Sequence, residues 1–189
     1  LWLLALLVGA SCLVPDARRT TGLASVGTPG DAWPEVSAQS ALVVDAETGQ
    51  VLFDKAADIK SFPASLTKML TALILLENGQ KTQWVTVPSQ LPRFSGSTIG
   101  LKHGDALSVP DLAKAVIIAS ANDAAYLAAA YLAGNQEAFA DMMNRKAAAL
   151  GLKNSHFVNP HGLHDEAHYS TARDLTLLSR VALQNQDFR

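Results

Sequence analysis

The chain has 189 residues, and 49% of them are apolar, which is enough for one substantial core but leaves little room for a second complete domain. Fifteen basic residues stand against seventeen acidic ones, for a formal net charge of −2. This balance excludes the strongly basic surface that binding to nucleic acid or to an anionic membrane would require.

The chain opens on an apolar run, residues 1–14, which is shorter than the ~20 residues of a membrane-spanning helix. We interpret it as part of a signal-peptide h-region, with a buried N-terminal helix as the alternative. Export follows, to the periplasm or the outer face of the cytoplasmic membrane. The only cysteine, Cys12, lies in this run, so the mature chain is expected to have neither a disulfide nor a thiol nucleophile.

A linker and a folded domain follow. Residues 15–37 are rich in Pro, Gly, Ser, Thr and Ala without periodicity, which is typical of a linker, and the domain is expected to cover residues 38–189. Two β-prone runs, 41–45 and 50–54, are separated by a compact turn that ends in a glycine. This pattern predicts a β-hairpin.

The rest of the domain is mainly helical by pattern. Residues 65–77 have apolar side chains at helical spacing and predict an amphipathic helix. Strands are predicted at 84–87 and 97–101, and a turn at 102–105. Four further helices are predicted, at 109–119, 123–133, 136–150 and 172–184. A hairpin alone is a poor platform for so many helices, so a mixed fold whose sheet has further strands is expected.

The first helix begins with an S-x-x-K motif, Ser65 to Lys68. This spacing puts the hydroxyl and the amine one turn apart on the same side of the helix, as a nucleophile and its base require. Burial and the positive end of the helix both favour a lowered lysine pKa. The alternative is that Ser65 is only a helix N-cap.

A second motif, Ser120-Ala121-Asn122, lies in the break between two predicted helices. A turn there could project Ser120 and Asn122 into a cleft. The alternative is a capping box between Ser120 and Asp123. An S-x-x-K serine followed by an S-x-N turn is the arrangement of the β-lactamases and penicillin-binding proteins.

Over residues 38–184 the sequence resembles the low-molecular-weight D-alanyl-D-alanine carboxypeptidases, serine peptidase family S11. The matching stretches are residues 41–49, 63–69, 119–125, 151–157 and 161–163. The resemblance implies an α/β (α+β) fold of the β-lactamase/DD-peptidase type. In that fold an antiparallel sheet is flanked by helices, a second lobe is all-helical, and the cleft lies between the lobes.

The resemblance also implies a mechanism. Ser65 would attack the carbonyl between the terminal D-alanines of a peptidoglycan stem peptide, and water would later release the acyl group. Lys68 would take the Ser65 proton, Ser120 would relay a proton to the leaving amine, and Asn122 would orient the substrate. The oxyanion would rest on backbone N–H groups. The implied partners are stem peptides ending in D-Ala-D-Ala and, as covalent inhibitors, β-lactams; no cofactor is implied.

The third motif of this family, a K-T-G on a strand, is absent. The only Lys-Thr pair, Lys81-Thr82, precedes Ser120 and is followed by Gln83. We expect the chain to be a fragment whose C-terminal strands are missing, with any membrane association left to a segment beyond Arg189. The alternative is a non-catalytic relative.

Three rival functions remain at this point. His161, His164 and His168 could suggest a metal, but Pro160 and Gly162 predict a loop in which the histidines face solvent, and no structural metal is expected. A class A β-lactamase would need a glutamate followed by Leu-Asn, and the downstream glutamate is followed by Ala-His instead. The third rival is a binding module that holds peptidoglycan without cleaving it.

Overall fold

A computed structural model of the chain describes residues 35–88 and 91–189, and the backbone of residues 3–8. One antiparallel sheet has three strands in the order β1, β2, β3: Leu3–Val8, Ser40–Asp45 and Val51–Lys55. The first strand falls inside the apolar opening run, so the alternative of an N-terminal helix is wrong. The signal-peptide interpretation stays a prediction. Most of the predicted linker lies outside the described residues.

A 3-10 turn, Ala64–Leu66, leads into the first of the five helices in the described part of the chain. The helices are α1 Thr67–Asn78, α2 Val109–Ile117, α3 Asn122–Ala133, α4 Gln136–Leu150 and α5 Ala172–Ala182. All five were predicted, with ends within a few residues. The Thr171 side chain caps α5 by accepting the Asp174 N–H at 3.1 Å, as its capping pattern indicates. Of the helices described, none is long and apolar enough to cross a membrane.

The predicted hairpin is confirmed as β2 and β3. Its turn is closed by Asp45, whose carboxylate accepts both the backbone N–H and the hydroxyl of Thr48 at 2.7 Å. Gly49 has φ +77°, and a Cβ there would run into the guanidinium of Arg180 on α5. The same guanidinium donates to the Ala46 carbonyl, so the turn is fastened directly to the last helix.

A second, two-stranded antiparallel sheet is made by β4 and β5, which are Trp84–Thr86 and Ala106–Ser108. The strand predicted at 84–87 is therefore confirmed, whereas the one predicted at 97–101 is wrong. Residues 97–101 are irregular because the Asp123 carboxylate accepts the backbone N–H groups of Ile99 and Leu101, at 3.2 and 3.0 Å. A side chain thus satisfies donors that would otherwise pair in a ladder. The three-residue β5 gave no pattern in the sequence.

Helix α1 lies at the centre of the molecule. Nine of its twelve residues are buried, whereas the sequence predicted an amphipathic helix with one exposed face. One face packs in a cluster with α2, α3 and the β4–β5 sheet, and another in a cluster with α4 and α5. Covered on both sides, the helix is exposed only at its last two residues, Glu77 and Asn78. The start of α1 is thereby held in a fixed position between the two clusters.

Candidate active site

Ser65 lies in the middle of the 3-10 turn that precedes α1 and is exposed to solvent. The residue before it, Ala64, has φ +48°, a left-handed conformation that is unfavourable for a residue with a Cβ. Neither this turn nor α1 has a side-chain cap. Instead, Ser65 Oγ accepts a hydrogen bond from Lys68 Nζ at 3.0 Å. The interpretation of Ser65 as a helix cap is therefore wrong.

Lys68 is buried, with 2% of its surface exposed, and its amine has three acceptors. Nζ donates to Ser65 Oγ at 3.0 Å, to Ser120 Oγ at 3.3 Å and to the backbone carbonyl of His161 at 3.0 Å. Among the described residues no carboxylate forms an ion pair with it. Burial without a counter-charge lowers the pKa of Lys68 to about 8.

Ser120 lies in the break between α2 and α3 and has φ +51°, again a left-handed conformation at a residue other than glycine. Such a conformation costs on the order of 1 kcal/mol and persists only where the surroundings impose it. The N-cap of α3 is Ala121, which makes no side-chain cap. The capping-box interpretation of Ser120 is therefore wrong, and its hydroxyl points to Lys68 instead.

Asn122 lies two residues after Ser120, but its hydrogen bonds go to a neighbouring loop. Its side-chain amide donates to the Ser95 carbonyl at 2.7 Å, and its backbone N–H donates to the Ser97 carbonyl at 2.8 Å. With Asp123, which binds the same segment two residues further on, it fixes an otherwise irregular loop beside the site. The sequence indicated a role for Asn122 and missed the one for Asp123. The only signal was that Asp123 directly follows the S-x-N motif.

The sequence predicted that the three candidate metal-binding histidines face solvent, and this is wrong for two of them. His161 and His168 have 6% and 2% of their surface exposed, and only His164 is exposed. Backbone N–H groups donate to Nδ1 of both buried rings, from Leu163 and Val158 at 3.2 Å each, which provides polar partners inside the protein. Burial is the main reason that the pKa values of His161 and His168 fall to about 4. Within the described ranges no group of three metal-ligating side chains occurs.

The loop that carries these histidines forms one wall of the site, which the sequence did not reveal. Two hydrogen bonds from α1 hold the loop in place. Lys68 Nζ donates to the His161 carbonyl, and the Thr71 hydroxyl donates to the Pro160 carbonyl at 2.6 Å. Gly162 has φ +81°, and a Cβ there would overlap the Ala64 carbonyl. The loop therefore packs directly on the turn that holds Ser65.

An open cleft of about 380 Å³ lies over the three polar groups. Its apolar lining consists of Phe62, Pro63, Ala64, Leu66, Met69, Val116 and Ile117. The arrangement places a solvent-accessible hydroxyl against a buried amine of lowered pKa, with a second hydroxyl on the same amine. Such an arrangement can supply two parts of an acyl transfer to serine, the nucleophile and its base.

The fold is that of the penicillin-binding DD-peptidases. The structure of a D-alanyl-D-alanine carboxypeptidase from Mycobacterium tuberculosis matches with a TM-score of 0.78 and 30% identity, over 85% of this chain and 61% of that one. Penicillin-binding protein 6B from Escherichia coli matches with a TM-score of 0.77 and 36% identity, over 85% and 55%.

The sequence profile of the peptidase S11 family, described as D-alanyl-D-alanine carboxypeptidase, matches residues 27–188, and the chain belongs to this family. Among curated proteins, D-alanyl-D-alanine carboxypeptidase DacF from Bacillus subtilis is 35% identical over 174 residues. The alignment covers 89% of this chain and 42% of that protein. The chain thus spans less than half the length of this relative.

Proposed function

We propose that the protein is a penicillin-sensitive D-Ala-D-Ala carboxypeptidase that works through an acyl-enzyme on Ser65. One observation carries the proposal: the buried Lys68 amine lies within hydrogen-bond reach of both Ser65 Oγ and Ser120 Oγ. A lysine with a pKa of about 8 is neutral in about one molecule in ten at pH 7, roughly 300 times more often than an ordinary lysine. Lys68 is therefore able to act as a base at neutral pH.

Acylation follows from this geometry. Neutral Lys68 keeps two N–H groups, for Ser120 Oγ and the His161 carbonyl, and its lone pair faces the Ser65 hydroxyl. It takes the Ser65 proton as Oγ attacks the carbonyl carbon of the penultimate D-alanine. The tetrahedral oxyanion rests on backbone N–H groups, that of Ser65 among them. When the C–N bond breaks, the proton passes from Lys68 through the Ser120 hydroxyl to the departing D-alanine amine.

Deacylation completes the cycle, because water attacks the Ser65 ester and restores the hydroxyl. In this proposal Asn122 would orient the substrate amide, although in the free protein its side-chain amide donates to the Ser95 carbonyl. The relatives' names support the substrate, a stem peptide ending in D-Ala-D-Ala, and support β-lactams as covalent inhibitors. The proposed setting is outside the cytoplasmic membrane, where peptidoglycan is found.

The test is labelling by a fluorescent penicillin, together with D-alanine release from a D-Ala-D-Ala peptide, in the protein expressed from its complete gene. Ser65→Ala should abolish both. Ser97→Ala, at an exposed serine on the neighbouring loop, is the matched control and should leave both intact. Labelling that persists in Ser65→Ala would refute the nucleophile assignment, and a labelled protein that releases no D-alanine would refute the carboxypeptidase activity.

The lifetime of the adduct separates this function from that of a β-lactamase. Both classes acylate the same serine and differ in how fast water clears it. A carboxypeptidase should hold the penicilloyl group long enough for it to be seen on a denaturing gel. Rapid turnover of penicillin without a stable adduct would favour the β-lactamase.

A further inference from the structure

A buried contact lies directly below the proposed site and has no part in the acylation steps. His168 Nε2 lies 2.8 Å from the Thr67 hydroxyl, across 101 residues of chain. Both side chains are almost completely buried, with 2% and 0% of their surface exposed. Thr67 is the residue next to Lys68 at the start of α1. The contact therefore joins the loop wall of the site to the helix that carries the base.

The direction of this hydrogen bond is fixed by the backbone. The Val158 N–H donates to His168 Nδ1 at 3.2 Å, so Nδ1 carries no proton and the neutral ring carries its proton on Nε2. Nε2 thus donates and the Thr67 hydroxyl accepts. The His168 backbone N–H binds the Asp165 carbonyl at 2.9 Å, and the ring packs edge-on against Phe157. The His168 ring is therefore held by a hydrogen bond at each nitrogen and by packing against the Phe157 ring.

Thr67 in turn supports the His161 carbonyl, the backbone acceptor of Lys68. A Cβ on Gly162 would lie 2.9 Å from Thr67 Oγ1, so the His161–Gly162 peptide packs against this hydroxyl. The carbonyl of that peptide is the one that accepts from Lys68 Nζ. Thr67 therefore acts together with the Ala64 carbonyl and the Thr71 hydroxyl in setting how close the loop comes to α1 at the point where Lys68 is buried.

We propose that His168 is a positioning residue that acts through Thr67. Its Nε2–H holds the Thr67 hydroxyl in the place against which the His161–Gly162 peptide packs, and that peptide supplies the backbone acceptor of Lys68. Without this support the His161–Gly162 peptide shifts away from Lys68, even though Thr71 still holds the loop through the Pro160 carbonyl. Water then reaches the amine, and the lysine returns towards its ordinary charged state. The inference rests on the proposed function, because it concerns the readiness of Lys68 as a base.

The charges around the ring are few. Asp165 and His156 are the titratable groups that act on His168, and they act in opposite directions, while His161 lies on the same loop. After burial, the positive charges of Lys68 and His168 also lower the pKa of His161. A test of positioning is therefore best read on the titration of Lys68, at pH values where both buried histidines stay neutral.

The experiment measures the second-order rate of acylation by a fluorescent penicillin between pH 6 and 10, in the protein expressed from its complete gene. Thr67→Val removes the acceptor while keeping the shape, and His168→Leu removes the donor. Each should slow acylation at pH 7 by roughly tenfold and move the acid limb to higher pH, because the lysine is no longer held away from water. The double variant should be no slower than the slower single variant.

Two further variants separate positioning from general stability. His168→Gln keeps an N–H near the place of Nε2 and should retain the wild-type acid limb. Thr176→Val makes the same substitution at a buried threonine whose hydroxyl donates to the Ala172 carbonyl inside α5, and it should lose stability without a change in acylation. If His168→Leu does not fold, Thr67→Val alone decides the matter.

The outcomes distinguish the two proposals. If the wild-type protein is not acylated at Ser65, the proposed function fails and this inference fails with it. If the wild-type protein is acylated but Thr67→Val keeps its rate and acid limb, only the positioning role is overturned. An equal loss of rate in Thr176→Val would also overturn it, because the effect would then follow stability and not position.

Discussion

Replacing Lys68 by methionine should change the pH dependence of stability in a way that reports the lysine's pKa in the folded protein. Methionine keeps most of the length of the side chain and removes the charge. The absolute change in unfolding free energy mixes two effects. Removing a buried charge is favourable, and leaving the His161 carbonyl without its donor costs about 1 to 3 kcal/mol. The pH dependence of the difference isolates the first effect.

The magnitude follows from the lowered pKa of Lys68, about 8 in the folded protein against 10.5 in the unfolded chain. Because the unfolded chain holds the extra proton between these values, folding becomes more favourable as the pH rises through this window. From pH 7 to pH 10 the wild-type protein should therefore gain about 2.5 kcal/mol relative to Lys68→Met. Below pH 7 the difference between the two proteins should stay constant.

The assay is urea unfolding of both proteins, followed by tryptophan fluorescence at pH 6, 7, 8, 9 and 10. Other groups titrate in this range in both proteins, and their effects cancel in the difference. Lys114→Met, at an exposed lysine, controls for the loss of one positive charge. A difference between wild type and Lys68→Met that does not vary with pH would show that the lysine's pKa is not lowered, and the argument for a lysine base would fall.

Two further predictions concern the loop wall. Gly162→Ala should lose β-lactam acylation almost completely, because a Cβ would overlap the Ala64 carbonyl and because φ at this position is +81°. Labelling at Ser65 measures the loss, and circular dichroism is the control for folding. Acid should destabilise the protein as the pH falls from 6.5 to 4, since His161 and His168 stay neutral when folded but gain a proton when unfolded. The expected loss is roughly 2 to 3 kcal/mol for each, and a His161→Phe variant with an unchanged slope between pH 6.5 and 4 would contradict it.

The elements with local signals could be predicted from the sequence. The hairpin follows from two β-prone runs around a glycine turn, and α4 ends at Gly151 in the left-handed conformation that its sequence indicates. The pairing of Ser65 with Lys68 also has a local cause, because an i, i+3 spacing puts both on the same side of the chain. Ser120 could be added only through its resemblance to a family motif.

The parts that could not be predicted depend on contacts between a side chain and a distant backbone group. The His161 carbonyl accepts from Lys68 across 93 residues, and no periodicity or motif reports such a contact. The polar loop looked solvent-facing because its composition is polar, yet two of its rings are buried with backbone partners. The strand predicted at 97–101 failed for the same reason, since the Asp123 carboxylate took the place of a neighbouring strand.

The acceptors around Lys68 explain how a lysine can be buried and hydrogen-bonded while its pKa stays low. A carboxylate in the place of Ser120 would satisfy the amine equally well, but its charge would favour the ammonium form and raise the pKa. Two hydroxyls and a carbonyl satisfy the N–H groups while adding no negative charge. Desolvation then lowers the pKa of Lys68 without opposition from a negative charge. This desolvation requires α1 to be covered on both sides, which is the main difference between α1 and an ordinary amphipathic helix. The left-handed residues Ala64 and Ser120 lie at the two turns that bring the hydroxyls of Ser65 and Ser120 to the same amine, at a cost in backbone strain that the packed helices sustain.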